Sequence, residues 1–411
     1  MSLSGINPRI DGETPPVSPE HTSNGRRWGV PDFPRLPAPA LGALVYAALR
    51  VINVVLTAIA IQHPPYSAHR RTLVELLRSG DGGHYWTIAA HGYLYPAVPI
   101  AHDSSFAFFP AYPALIDSLA WLPGISITGA GLIVTAVAGL AAAWGLTKLG
   151  LRITGDARIG VLLVAIWAVA PSSSVLSMMY AEALFCALAI WALYALVEQR
   201  WLTAGLLTLG AGLVRSTALA VVAAVGVAAL IALIRAARER QPFGSWWRPV
   251  AAIVLAPLGL LGFLGYVAVE AGRLDGWFWI EHNTFWMTFD WGVSTVKMIK
   301  DTMFGEPPTS QIFVILTLAA AVVLLIWSLT ERIPVYLHVY TFVVVAMAFA
   351  TSANWVGSKP RFLLPAVLLG LPLARALAPV RIVILVLIFV VLAAVTTWYS
   401  LYMHILAGWA P

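Results

Sequence analysis

The amino-acid sequence predicts an all-α protein that crosses a membrane many times. Of its 411 residues, 60% are hydrophobic and only 11% are charged, and the mean hydropathy is +0.82. Soluble domains carry roughly 25% charged residues, so this composition excludes an ordinary soluble enzyme. Apolar runs near the ~20 residues that a helix needs to cross a bilayer recur along the chain, with polar loops between them.

The chain is predicted to divide into a disordered cytoplasmic tail, residues 1–38, and a transmembrane domain, residues 39–411. The tail is rich in Pro, Ser, Gly and Arg and shows no apolar periodicity. It contains no short apolar core followed by a small-residue cleavage site. We therefore expect no removable signal peptide.

About eleven spans of near-bilayer length are predicted, and the first outer loop, residues 63–128, is expected to hold interfacial helices. The segment 106–122 in this loop is short and contains Pro110 and Pro113, which favours an interfacial or re-entrant helix over a crossing. Arg50, inside the first span, is expected to meet a carboxylate or a polar cavity, since a charge at that depth costs ~2.5–3.5 kcal/mol. The predicted spans are residues 39–62, 129–148, 158–173, 180–197, 201–214, 217–235, 249–271, 311–330, 334–351, 361–376 and 381–404.

The basic residues predict the orientation of the chain, because cytoplasmic loops are enriched in Lys and Arg. With the N-terminus inside, most of the 25 Lys and Arg residues fall on the cytoplasmic side. A crossing at 106–122 would place the cluster from Arg235 to Arg248 outside. In the preferred orientation these carboxylates lie outside: Asp81, Asp103, Glu182, Asp275, Glu281, Asp290, Asp301 and Glu306. Any chemistry is therefore predicted on the extracytoplasmic side of the cell membrane.

The segment 79–93 is the first well-defined polar stretch after a long apolar run. It combines Asp81, several glycines, His84 and Tyr85 with further aromatic residues. Glycines let the backbone approach a ligand closely, and aromatic rings with a polar edge suit a membrane–water boundary. The stretch is either an active-site loop at the membrane surface or an interfacial anchor. Asp81 is the first candidate for a catalytic base, with Asp103 on the same loop as the second.

The sequence also limits the substrates that an enzyme of this kind could use. It contains no Walker loop, no strand-embedded glycine fingerprint and no paired Cys and His residues with metal spacing. We expect no metal, no other cofactor and no nucleic-acid partner. A lipid-borne phosphate substrate would need cations for the phosphate, a carboxylate for an acceptor proton and aromatic rings for a sugar. The aromatic segment 277–286 either stacks on a sugar or lies in the membrane interface.

Candidate cations and their neighbours lie at the outer ends of predicted spans. Arg215 lies where two spans meet, and either pairs with a carboxylate such as Glu182 or binds phosphate. Tyr180 and Glu182 follow a Ser-rich turn, so a turn with a capping glutamate is the simpler interpretation there. Lys359 and Arg361 flank a proline at a helix start, where they either bind a phosphate or anchor the chain at the membrane edge.

These stretches have the order of motifs found in one enzyme family. The segments are Asp81-Gly-Gly-His84-Tyr85 with Ala107 to Pro113 (AFFPAYP), Ser177 to Phe185 (SMMYAEALF), Arg215-Ser216, and Ser358 to Pro365 (SKPRFLLP). Together they resemble the PIG-V-like mannosyltransferases, integral membrane enzymes of the GT-C type. The chain departs from the family pattern at Gly80, where the family usually has Trp, and at Ala183, where it has Ser.

The resemblance implies a GT-C-like helical bundle and an inverting transferase. The donor would be a polyprenyl-phosphate-linked mannose, and the acceptor a lipid-linked glycan such as a phosphatidylinositol mannoside or lipoglycan. It also implies that Asp81 is the catalytic base and that Arg215 and Arg361 lie near the donor phosphate. The other candidate substrate contacts, chosen from the residues themselves, are His84, Tyr85, Asp103, Tyr180, Glu182 and Lys359. Three alternatives stay open: a glycolipid transporter or flippase, a transferase of another polyprenyl-phosphate sugar such as arabinofuranose, and a catalytically inactive paralogue that scaffolds other envelope enzymes.

Overall fold

The structure is a computed structural model that describes residues 36–93, 98–242, 244, 246–306, 308–352 and 357–407. The predicted disordered tail lies outside the described residues up to position 35. Residues Pro37–Pro411 belong to one unit.

Within the described ranges the chain is helical and has no β-strand, which confirms the predicted all-α class. Its α-helices are α1 (Ala38–Ala60), α2 (Leu73–Arg78), α3 (Asp81–His91), α4 (Ala111–Ala120), α5 (Ile127–Thr154), α6 (Ala157–Ala168), α7 (Glu182–Val197), α8 (Trp201–Gly212), α9 (Ala218–Arg238), α10 (Trp247–Ala271), α11 (Gly276–Phe285), α12 (Val293–Phe304), α13 (Thr309–Ser328), α14 (Val335–Ala350), α15 (Lys359–Phe362), α16 (Leu371–Leu377) and α17 (Ile382–Leu401). Short 3₁₀ turns and one π-helical turn, Tyr402–Leu406, join or extend them.

Six of the described helices are long and apolar enough to cross a membrane, which supports the predicted membrane class. They are α1, α5, α9, α10, α13, and α17 with its π-helical extension. The other predicted spans coincide with shorter apolar helices, namely α6, α7, α8, α14 and the segment Val367–Leu377. At a rise of about 1.5 Å per residue the ten-residue α4 covers about 15 Å, half of a bilayer core, which suits an interfacial or re-entrant helix.

The predicted span 361–376 is broken in the structure, and the break has a local cause. Pro365 has no N–H for a helical hydrogen bond, and the chain passes from α15 through a 3₁₀ turn into α16. The Tyr340 hydroxyl, which is buried, donates to the Pro365 carbonyl at 2.7 Å. Irregular backbone is tolerated at membrane depth where the protein supplies such partners. Arg361 therefore lies at a helix break inside the bundle.

Arg50, which was expected to meet a carboxylate or a polar cavity, meets main-chain carbonyls. Its buried guanidinium donates to the carbonyl oxygens of Ala168 and Ser173. Ala168 is the last residue of α6, where helix carbonyls lack an intrahelical partner and carry a partial negative charge. The contact joins α1 to the turn that leads towards Tyr180 and Glu182.

Glycines allow α8 and α10 to pack with their main chains in contact. A Cβ atom at Gly259 would overlap the Leu209 carbonyl, and one at Gly212 would overlap the main chain of Leu260. Small residues permit such close approach between helices in membrane proteins. The contact holds the end of α8, and with it the turn that carries Arg215.

We predict that Gly259→Ala destabilises the protein by roughly 1–3 kcal/mol, because the added methyl group meets backbone that no rotamer change can move. Gly262→Ala on the same helix is the matched control, since nothing lies within 4 Å of its Cβ position. Ala is the better helix former, so the control should be neutral or slightly stabilising. Thermal unfolding in detergent, followed by tryptophan fluorescence, measures both. Equal melting temperatures for the two variants would contradict the predicted contact.

Candidate active site

Asp81 is positioned by the start of α3 and by a tyrosine from a distant motif. Gly80 precedes the helix with φ 64° and ψ −134°, a backbone conformation that is strained for residues with a side chain. This conformation favours glycine at position 80. The N–H of Asp81 donates to the Tyr180 hydroxyl at 3.1 Å, across 99 positions of sequence.

The motifs at 79–85 and 177–185 are packed main chain against main chain. The N–H of Met179 donates to the Leu77 carbonyl at 2.9 Å. A Cβ atom at Gly82 would lie 3.1 Å from the carbonyl oxygen of Met179, which is tighter than most real contacts. The small residue at Gly82 thus brings Asp81 beside the segment that carries Tyr180 and Glu182.

Two carboxylates and two guanidinium groups form a chain of alternating charge at this junction. Arg361 Nη1 lies 2.7 Å from Asp81 Oδ2, and Arg215 Nη1 lies 2.6 Å from Glu182 Oε1. Arg361 Nε lies 3.4 Å from the same oxygen of Glu182 and so links the two pairs. The guanidinium of Arg361 also lies over the ring of Tyr180, 5.3 Å from its centroid. The side chain of Glu182 is fully buried, whereas Asp81 and Arg215 keep 18% and 15% exposure, so the two ends of the chain remain accessible.

A cavity of about 1320 Å³ opens beside these charges. Its charged lining includes Asp81, Arg215, Glu281 and Arg361. The rest of its wall is largely apolar and comes from α9, α10 and α14, with residues such as Leu219, Leu260, Leu261, Leu264, Met347 and Phe349. The cavity therefore combines a charged region with an apolar region, as a ligand with an anionic headgroup and an apolar tail would require.

His84 and Tyr85 also line the cavity, as members of an aromatic cluster. The imidazole of His84 stacks on Phe108 with centroids 4.7 Å apart, and its Nδ1 lies 3.2 Å from the Ser104 hydroxyl. Burial lowers the pKa of His84, with the negative charge of Asp81 opposing it, so the ring is neutral at pH 7. His84 can therefore offer a hydrogen bond to a ligand but no positive charge for a phosphate.

Lys359 and Asp103, both predicted to contact substrate, do not line the cavity. The Lys359 ammonium donates to the carbonyls of Ala348 and Thr351 at 3.1 and 2.7 Å, and burial lowers its pKa to about 8. It therefore satisfies carbonyls at the C-terminal end of α14. Asp103 accepts from the N–H and hydroxyl of Ser105 at 3.0 and 2.6 Å, so it stabilises its own turn.

Glu281, on α11, and Arg71 are charged cavity residues that the sequence analysis did not assign to the site. The carboxyl group of Glu281 has no hydrogen-bond or salt-bridge partner among the described residues. Burial raises the pKa of Glu281 to about 8; the charge of Asp81 adds to this, and Arg215 and Arg361 oppose it. The sequence signal was a single carboxylate inside the run Trp277-Phe278-Trp279-Ile280-Glu281, which was interpreted only as an aromatic segment with an outer carboxylate.

Comparison with known proteins adds no relative. No protein-family model matches the chain, and a search of curated proteins finds no match. The resemblance to the PIG-V-like enzymes thus depends on the motifs and their order alone.

In the part of the chain that the structure describes, no group of three or more His, Cys, Asp or Glu side chains is arranged to hold a metal ion.

We predict that Glu281→Gln raises the melting temperature increasingly with pH. A carboxyl whose pKa is about 8 in the folded protein and near 4.5 in the unfolded chain lowers stability as the pH rises between these values, because only the unfolded chain then releases the proton. The amide has no proton to lose. The difference in melting temperature between Glu281→Gln and wild type should be small at pH 5, increase up to about pH 8 and then stay constant.

Thermal melts of both proteins in one detergent across this range test the prediction. Glu270→Gln, an exposed site on α10, is the control. A constant difference for Glu281→Gln, or an equal trend in the control, would contradict the assignment of this effect to Glu281.

Proposed function

We propose that the protein is a membrane glycosyltransferase of GT-C-like architecture. It moves mannose from a polyprenyl-phosphate-linked donor to a lipid-linked acceptor, such as a phosphatidylinositol mannoside or lipoglycan, with inversion at the anomeric carbon. The observation that carries the proposal is the cavity in which Asp81 and two arginines adjoin a largely apolar wall. An amphiphilic phosphate-linked sugar has the same two kinds of surface.

Two of the helices that form the apolar part of the cavity, α9 and α10, are long enough to cross a membrane. Leu219 on α9 and Leu261 on α10 line it and keep 48% and 58% exposure. A prenyl chain placed along these side chains would exchange lipid contacts for protein contacts at little cost, while its phosphate reaches Arg215. The proposal includes about eleven crossings, with the cavity on the extracytoplasmic side, as the basic-residue distribution predicts.

Asp81 serves as the base in this mechanism. Its carboxylate takes the proton of the acceptor hydroxyl while that oxygen attacks the anomeric carbon from the face opposite the phosphate. The bond between the anomeric carbon and the phosphate oxygen breaks, and its electron pair leaves with the polyprenyl phosphate. Arg215 stabilises the charge that develops there.

Arg361 has two competing partners in the proposed complex. Without a ligand it forms a salt bridge with Asp81 at 2.7 Å. A donor phosphate next to Arg361 offers the guanidinium another anion. As Arg361 turns towards the phosphate, the carboxylate of Asp81 is released to meet the acceptor hydroxyl.

A glycolipid transporter is the second candidate, and a buried charge within the transport path would favour it. The structure gives little support for such a transport path. Arg50, the charge deep in the first span, is bound to carbonyls and does not line the cavity. A transferase of another polyprenyl-phosphate sugar would need the same groups. An activity assay is therefore needed to identify the donor sugar.

We predict that Asp81→Asn lowers sugar transfer by about 10²–10⁴-fold, because the amide cannot accept the acceptor proton. The measurement uses purified protein in nanodiscs, radiolabelled polyprenyl-phosphate mannose and a membrane lipid extract. Asp117→Asn, an exposed carboxylate on α4, is the matched control and should transfer at the wild-type rate.

Three outcomes of this assay would change the proposed mechanism, function or donor sugar. Full activity in Asp81→Asn would remove that residue from the mechanism. A protein that binds the mannose donor but moves it between leaflets without transfer would be a transporter. Transfer from a polyprenyl-phosphate arabinofuranose, with none from the mannose donor, would change the sugar and keep the reaction class.

We also predict that Arg215→Lys raises the KM for the donor about 10-fold while kcat changes less. The planar guanidinium can hold Glu182 with one nitrogen and a phosphate with the others, whereas an ammonium is a single point of charge. Arg273→Lys, an exposed residue paired with Asp275 outside the cavity, is the control. An unchanged KM in Arg215→Lys would exclude a direct phosphate contact.

A further inference from the structure

We propose that Glu281 is the general acid of the reaction and delivers a proton to the phosphate that leaves the sugar. This inference rests on the proposed function and adds a second catalytic residue to it. Asp81 and Glu281 would then be a base and an acid within one cavity, each with its own role.

The position of Glu281 is set by a rigid element. α11 packs against α10 and against the turns at residues 100–107, and Ile280, next to Glu281, is fully buried in that contact. The Glu281 side chain is thereby presented to the cavity that Asp81 lines from α3. Phe285, one turn further along α11, lies edge-on to His84 with centroids 5.6 Å apart, which ties α11 to the same site.

The two carboxyl groups have opposite surroundings. Asp81 has an arginine at 2.7 Å, whereas no arginine lies within salt-bridge distance of Glu281 among the described residues. Burial, together with the nearby negative charge of Asp81, raises the pKa of Glu281 to about 8 and so favours its protonated form. Two carboxyl groups separated in this way are suited to opposite roles in one reaction.

Charged groups on three other segments of the chain act on Glu281. Those that act on it are Asp81 from α3, Arg215 from the turn before α9 and Arg361 from α15. On the elements packed against α11, the carboxylates Glu270 and Asp103 act on Tyr266 instead.

The proton balance of the transfer closes with both residues. The acceptor oxygen forms its bond to the anomeric carbon and gives its proton to Asp81. The bond from that carbon to the phosphate oxygen breaks, the electron pair stays on this oxygen, and the Glu281 proton binds it. The polyprenyl phosphate leaves as a monoanion, so the charge of the phosphate does not increase. Asp81 then releases its proton to solvent, and Glu281 takes one up.

The protonated leaving group matters because two of the three arginines that line the cavity, Arg215 and Arg361 but not Arg71, already form salt bridges with carboxylates in the described structure. Arg215 and Arg361 are already paired with Glu182 and Asp81, so the four groups are formally neutral. A second negative charge on the phosphate in a mostly apolar cavity would be poorly compensated. A proton from Glu281 removes that charge at the moment at which it would develop.

The test is the pH dependence of kcat/KM for wild type, Glu281→Gln and Glu281→Asp, from pH 6 to 9.5. Wild type should lose activity above about pH 8, where burial places the pKa of Glu281. Glu281→Gln should be slower by about 10²-fold or more at pH 7 and lack this basic limb. Glu281→Asp keeps an acid and should retain the limb at a lower rate.

A second donor separates proton donation from a structural role. A mannosyl phosphate with a nitrophenyl ester in place of the prenyl chain leaves as a more acidic phosphate, which needs less protonation. Glu281→Gln should therefore approach wild type with this donor. His282→Gln, the exposed neighbour on α11, should match wild type with both donors. Melting temperature and donor binding show whether each variant is folded.

Several results would overturn the inference while leaving the proposed function intact. They are a wild-type rate in Glu281→Gln, an equal loss with both donors, or a basic limb that persists without the carboxyl. A persisting limb would belong to another group, such as Lys359, whose pKa is also about 8. If wild type transfers no sugar from any polyprenyl phosphate, the proposed function fails and this inference fails with it.

Discussion

The candidate site depends on the burial of one carboxylate. Glu182 is fully buried at the first turn of α7, between Arg215 and Arg361. A charge removed from water costs several kcal/mol unless it is paired and hydrogen-bonded, and a helix N-terminus favours a negative charge. The pairing requires the turn between α8 and α9, the start of α7, and α15 to meet at one point. Asp81 joins the same point through Arg361, so the charge network also sets the place of α3.

The surrounding helices make this meeting point available. Gly259 and Gly212 let α8 and α10 approach until their main chains touch, and Gly82 does the same for α3 and the segment around Met179. Arg50 satisfies the carbonyls at the end of α6, and Tyr340 satisfies the carbonyl of Pro365. Each contact provides a partner or the space that an irregular backbone needs inside an apolar bundle. The broken helices near the site are thus stabilised by specific contacts.

This arrangement separates the chemical properties of two carboxyl groups that share a cavity. Asp81 is paired with a guanidinium, whereas burial raises the pKa of Glu281 to about 8. His84 stays neutral between aromatic rings. A phosphate-bearing ligand would therefore meet positive charge at the arginines and a proton donor at Glu281. The apolar wall formed by α9, α10 and α14 would contact the apolar tail of such a ligand.

The sequence by itself determined the membrane class, the helical content and most of the charged residues of the site. Hydropathy and motif order are local properties, and they were sufficient to select Asp81, Arg215 and Arg361. The tertiary structure decided which of the selected groups face the cavity. It turned Lys359 towards carbonyls, gave Arg50 carbonyl partners, shortened several predicted spans and placed Glu281 in the same cavity as Asp81. The physical reason is distance along the chain: Arg361 and Asp81 are 280 positions apart, and the direction of a side chain depends on how its helix packs against distant partners.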